Sequence, residues 1–84
     1  TIHNIYPNPF NPIVNINYGL PINSHVKIQI YNINGKRIET LIKGNQTLGY
    51  YSLSWDASAY PSAVYFVSME AGSFKETRKI LLLK

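Results

Sequence analysis

Apolar and polar side chains alternate with a period of two along most of the chain. Val14, Ile16, Tyr18 and Leu20 are separated by Asn15 and Asn17, the pattern of a strand with one buried face. Pro21 and Asn23-Ser24 interrupt it. The pattern resumes over His25–Ile33, with Val26, Ile28 and Ile30 inward and Lys27 and Gln29 outward. At Tyr31 and Ile33 the apolar set slips phase, which predicts a bulge or a strand crossing to a second sheet. Asn34-Gly35 is the strongest hairpin signal, read as a type I′ turn with positive φ at both central residues. The return strand, Lys36–Ile42, is more polar and reads as an edge guarded by Lys36, Arg37 and Lys43.

Gly44–Gly49 reads as a turn. Within it Asn45-Gln46-Thr47 has the form of a glycosylation sequon, although nothing places the chain in a eukaryotic secretory route. Tyr51, Leu53 and Trp55 then alternate with Ser52 and Ser54, which puts the only tryptophan inside. After a loop over Asp56–Pro61, Ala63–Ala71 is apolar on both faces and is expected to be central. Gly72-Ser73 turns into a last strand, Phe74–Leu83. Six or seven short strands with turns between them predict an all-β, antiparallel sandwich.

The first twelve residues differ from the rest. Tyr6-Pro7-Asn8-Pro9-Phe10-Asn11-Pro12 places three prolines close together, which removes backbone donors and excludes a helix or a central strand. The segment reads as a stiff arm over residues 1–12, with Tyr6 and Phe10 as apolar plugs on one end of the sandwich formed by residues 13–84. A proline-rich linker is the alternative, but aromatics at such close spacing do not suit a linker.

Size and composition sharpen this. With 84 residues there is room for one domain, on which a deep catalytic cleft is hard to build. An apolar fraction of 45% and a charged fraction of 14% exclude a disordered tail. The net charge of +4 arises from eight Lys and Arg dispersed along the chain against four acids and reads as a solubility feature. There is no cysteine, so neither a disulfide scaffold nor a thiolate metal site is available. The longest strongly apolar run, Ile80-Leu81-Leu82-Leu83, is far short of the about 20 residues that span a bilayer. The chain opens at Thr1 without a signal-peptide pattern and reads as a piece of a longer protein.

Catalytic constellations are missing. His3 and His25 show no metal-ligand spacing, and Glu39, Asp56, Glu70 and Glu76 read as a sparse solvated surface rather than an acid–base pair. No nucleophile elbow, phosphate loop or calcium loop is present. The chain therefore reads as a non-enzyme with no cofactor. Its seven tyrosines and one tryptophan sit mostly in the inward register, with Tyr50 and Tyr60 the surface candidates, and no nucleic-acid partner is expected. Lys75, Arg78, Lys79 and Lys84 gather late in the chain. They read either as one wet face of an edge strand or as a C-terminal address presented to a receptor.

Several strings, taken together, are similar to one known family. Tyr6-Pro7-Asn8-Pro9-Phe10-Asn11-Pro12 is followed by Ile16-x-Tyr18-x-Leu20-Pro21 and Val26-x-Ile28-x-Ile30-Tyr31-Asn32-x-x-Gly35. Gly49, Trp55-Asp56, Ser62-x-Val64-Tyr65-Phe66 and Thr77-x-Lys79-x-Leu81-Leu82-Leu83-Lys84 complete the set. In order and spacing they resemble the C-terminal sorting domain of proteins exported by the bacterial type IX secretion system. The resemblance implies an immunoglobulin-like sandwich of about seven strands, joined to an N-terminal cargo and sent through the periplasm to the cell surface or beyond. It implies two partners, an outer-membrane translocon and a sortase-like peptidase. It also implies an address in two parts, at Ser62-Ala63-Val64-Tyr65 and at Gly72 with Lys79–Lys84, which makes Ser62, Ala63, Val64, Tyr65, Gly72, Lys79, Leu81, Leu82, Leu83 and Lys84 the candidates for translocon recognition. The family usually has glycine where this chain has Ala63; alanine would be strained there if the position required positive φ.

As a mechanism, a free last strand is open to strand addition, with Lys79 and Lys84 meeting acidic groups and the leucines filling apolar pockets. Deleting Lys79–Lys84 would then stop export. Two other classes are weighed against this reading: a structural immunoglobulin-like module like that of a flagellar hook-capping protein, forming oligomers or fibres, and a carbohydrate-binding module with a row of exposed aromatics.

Overall fold

Each stretch of period-two alternation forms a strand. In the computed structural model, which describes all 84 residues, the strands are β1 (Ile2–Tyr6), β2 (Ile13–Leu20), β3 (Ser24–Tyr31), β4 (Arg37–Gln46), β5 (Gly49–Asp56), β6 (Ala63–Ala71) and β7 (Phe74–Leu82). One sheet runs β1-β2-β5 and the other β4-β3-β6-β7. Every pairing is antiparallel. This is a seven-strand sandwich of immunoglobulin-like type, as the resemblance implies.

The core lies between the inward rows. Val14, Ile16 and Tyr18 of β2 face Val26, Ile28 and Ile30 of β3, Tyr65, Val67 and Met69 of β6, and Ile80 and Leu82 of β7, all of them buried. Burying each such side chain contributes about 1.5–3 kcal/mol before the entropy of ordering the chain is subtracted. Tyr65 reaches back from the start of β6 so that its hydroxyl donates to the Pro61 carbonyl at 2.6 Å, the tyrosine corner of such sandwiches. A second tie links the sheets, where the Tyr18 hydroxyl donates to Gln46 Oε1 at 2.7 Å.

The structure corrects several local expectations. Residues 2–6 of the arm are an edge strand paired with β2, which the prolines permit because they begin only at Pro7. Phe10 is the plug expected, at 2% exposure, but Tyr6 is 48% exposed because it ends β1 on the outer face. The phase slip near Tyr31 is a bulge against β4, with no crossing of sheets, and Ile33 lies exposed in the turn beyond it. That turn is not type I′. Among its residues only Gly35 has positive φ, at 80°. The Gly35 N–H donates to the Asn32 carbonyl at 3.0 Å, and the Asn32 N–H to the Lys36 carbonyl at 2.9 Å. This geometry is a three-residue loop closed by a glycine bulge, held by Asn32 Oδ1, which accepts from the amides of Asn34 and Lys36.

β4 is the expected edge, yet it continues through the predicted turn to Gln46, leaving only residues 47–48 to cross to the other sheet. Gln29 occupies the outer face as its period requires, but neighbours cover it to 6% exposure. Its amide donates to Thr40 and its oxygen accepts from Tyr31, so the burial leaves no unmet polar group.

Candidate recognition surface at the last two strands

β6 and β7 pair over their whole length, with Ala63 opposite Leu82, Val64 opposite Leu81 and Tyr65 opposite Ile80. This register sets Ser62–Tyr65, the first segment that the resemblance implies, beside Ile80–Lys84 of the second in one patch, with Lys79 one pair further along, opposite Phe66. Ser62 Oγ accepts from the Lys84 amide at 2.9 Å, and the Lys84 ammonium donates to the Ser58 carbonyl at 2.7 Å. The last residue is thus fastened to the loop between β5 and β6. Gly72 is not part of this patch. It forms the β6–β7 turn at φ 61°, about 30 Å away along the ribbon.

The side chains of the patch divide by face. Tyr65 and Leu82 point into the core and are buried, whereas Lys79, Leu83 and Lys84 are exposed and Ala63, Val64 and Leu81 are half-buried. Ala63 lies in the strand without positive φ, so replacing the family's usual glycine brings no backbone strain.

The outer edge of β7 is not free, contrary to expectation. Along it Phe10 forms a parallel bridge with Leu82, its N–H donating to the Leu81 carbonyl at 2.9 Å and its carbonyl accepting from the Leu83 amide at 3.0 Å. Asn8 adds an amide-like pair, its Oδ1 accepting from the Leu81 amide at 3.0 Å and its Nδ2 donating to the Lys79 carbonyl at 3.4 Å. Further back, Glu76 accepts from the Ile2 amide and the Thr1 hydroxyl, both at 3.0 Å, and from Arg78 at 2.7 Å. Burial alone would raise the Glu76 carboxyl, but these donors outweigh it and hold the group below its ordinary range. The arm therefore closes the ribbon that strand addition would need, and Leu82, fully buried, is unavailable to fill a receptor pocket. What remains accessible is a side-chain face.

Elsewhere, Tyr60 proves to be an interior contact. The loop over 57–62 folds across the open end of the core, placing Tyr60 5.7 Å from Trp55 and 6.3 Å from Tyr65 between ring centroids. Tyr50 is the surface tyrosine expected, at 86% exposure, and its ring lies 5.6 Å from His3. The contacts of Asn8 and Phe10 with β7 had no local signal, since they join positions more than seventy residues apart.

The model of the secretion system C-terminal sorting domain family matches residues 4–83. The chain belongs to this family. It is a type IX sorting domain, and domains of this family serve the translocation of a cargo attached on their N-terminal side. Secretion to the cell surface or the extracellular space is the destination such a domain implies. Sorting domains are in general non-catalytic signals. No curated protein and no solved structure gives a significant match to the chain.

Proposed function

We propose that this sorting domain directs its cargo from the periplasm across the outer membrane by binding the type IX translocon, and that a sortase-like peptidase then removes it at the cell surface. The observation that supports the reading is the β6–β7 register, which sets Ser62–Tyr65 beside Ile80–Lys84 at one corner of the sandwich, with Gly72 at the other end of the ribbon. Recognition there works through side chains, because the arm already occupies the main-chain groups of Leu81 and Leu83. On this reading Leu83 and Lys84 make the contacts, with Val64 and Leu81 beside them. Ser62, Ala63, Tyr65 and Leu82 act by positioning that face, and Gly72 shapes the opposite end of the ribbon. The signature arm, Tyr6 through Pro12, is the clamp on β7.

The test is export of a periplasmic reporter fused ahead of the domain, in a host with a type IX system. Deleting residues 79–84 is unsuitable, because it removes Ile80 and Leu82 from the core and would stop export through misfolding. The exposed pair is the informative target. L83D/K84E should keep the parent's thermal midpoint within a few degrees and retain the reporter in the periplasm, while Y50S at the far end is exported normally. Export of L83D/K84E at the parent's level would remove the assignment.

A further inference from the structure

Cations that the sequence disperses are collected by the fold onto one face. Cross-strand partners point to the same side of a sheet, so the register of the four-stranded sheet defines rows on its outer surface. One row reads Lys43, Lys27, Glu70, Lys75; another reads Arg37, Tyr31, Phe66, Lys79. Between them lie the neutral side chains Thr40, Gln29, Ser68 and Thr77. Two ion pairs confirm the shared face, with Glu70 3.6 Å from both Lys27 and Lys75.

The face holds five of the eight cations and one of the four carboxylates, a net charge equal to the whole chain's +4. The three cations elsewhere, Lys36, Arg78 and Lys84, are matched by Glu39, Asp56 and Glu76. The opposite sheet presents a Ser–Asn ladder, in which Ser54 donates to Asn15 at 2.9 Å and Ser52 to Asn17 at 2.8 Å, and its one charged side chain, Asp56 at the end of β5, is an acid. Lys27 stands directly across from Lys43, an arrangement that destabilises an isolated sheet. Such like-charge placement is relieved when an anionic surface covers it.

We propose that the outer face of the β4-β3-β6-β7 sheet is a docking surface for an acidic protein face of the secretion machinery. The inference rests on the sorting function and extends it from one corner to a whole sheet. A protein fits better than a lipid surface. Tyr31 and Phe66 lie half-buried between Arg37 and Lys79, a mixture of aromatic rings and guanidinium suited to a protein interface. Of the most exposed apolar side chains, Ile22, Leu48 and Tyr50 lie away from these rows and Ile33 lies in the β3–β4 turn at the end of the sheet, so none stands within the face as a wedge to enter a bilayer.

The test compares the parent with R37E/K43E/K79E in two measurements, export of the fused reporter and binding to detergent-purified translocon across a salt series. The variant should bind about tenfold or more weakly, lose most of the parent's salt dependence and retain the reporter. Its thermal midpoint should hold or rise, because Lys43→Glu puts an opposite charge across from Lys27. The neutral R37Q/K43Q/K79Q should fall between the two, which separates charge from folding. Parent-like binding and export by the charge-reversed protein would sink the face while leaving the sorting function intact. Retention of the parent fusion itself would sink the sorting function and this proposal together. Phosphatidylglycerol vesicles are the third probe: loss of vesicle binding with undiminished translocon binding would assign the face to lipid and overturn the proposal.

Discussion

Phe10→Ala is the sharpest probe of how the arm is held. The Phe10 ring is 2% exposed and its centroid lies 5.9 Å from that of Trp55. Truncating a buried phenylalanine costs about 3–5 kcal/mol, from lost transfer energy and the cavity left behind. A domain of 84 residues has a total stability of about 4–13 kcal/mol at the usual 0.05–0.15 kcal/mol per residue. The substitution therefore removes a quarter of that stability or more, and about 12 °C or more from the thermal midpoint. Asn8→Ala is the control. It loses two exposed hydrogen bonds to the β7 edge, each contributing at the low end of about 0.5–1.5 kcal/mol. Urea denaturation followed by fluorescence of Trp55, the only tryptophan, reads both variants. If burial anchors the arm, Phe10→Ala costs at least twice what Asn8→Ala does, and the Leu83 amide exchanges faster in deuterated water. A cost below about 1 kcal/mol for Phe10→Ala, or equal costs for the two, would refute the reasoning.

Two further outcomes follow from the same contacts. Glu76 has its folded-state carboxyl below the ordinary range, so its stabilisation is present above the unfolded value, about 4.3, and is lost as pH falls through the folded one. Urea titrations at pH 7 and pH 3 should show Glu76→Gln less stable than the parent at the higher pH, with the gap narrowing at the lower. At Gly19, an added Cβ would lie 2.6 Å from His3 Nε2 and 3.2 Å from Tyr50 Cδ1. The obstructing atom is the far end of an exposed ring that can swing aside, so Gly19→Ala should cost less than about 1 kcal/mol, and His3→Ala should recover most of that in a double-mutant cycle. Simple additivity of the two substitutions would show that the crowding is not between those groups.

Much of the fold was legible because it is written locally. The pleat sends successive side chains to opposite faces, so Val14, Ile16 and Tyr18, or Tyr51, Leu53 and Trp55, declare their strand and its buried side without reference to any partner. The positions of the turns at Gly35 and Gly72 and the edge strand β4 were legible for the same reason, although the type of the first turn was not. Where a feature depended on a distant neighbour, the local pattern misled. Gln29 alternates as a surface residue yet is covered by Thr40 and Tyr31. Tyr60 sits in a loop yet packs on Trp55. The predicted turn over 44–49 was largely strand, because pairing with β3 carries β4 on to Gln46.

By itself, the sequence determined an all-β sandwich, the Phe10 plug and the family whose signature it carries. Tertiary structure decided that the arm locks the last strand, that Ser62–Tyr65 lies beside Ile80–Lys84, and that the charge excess gathers on one sheet face. Those decisions belong to cross-strand register, which pairs residues tens of positions apart. Alternation along a single strand names a side chain's face and leaves its neighbours on that face open; only the packed sheet selects them.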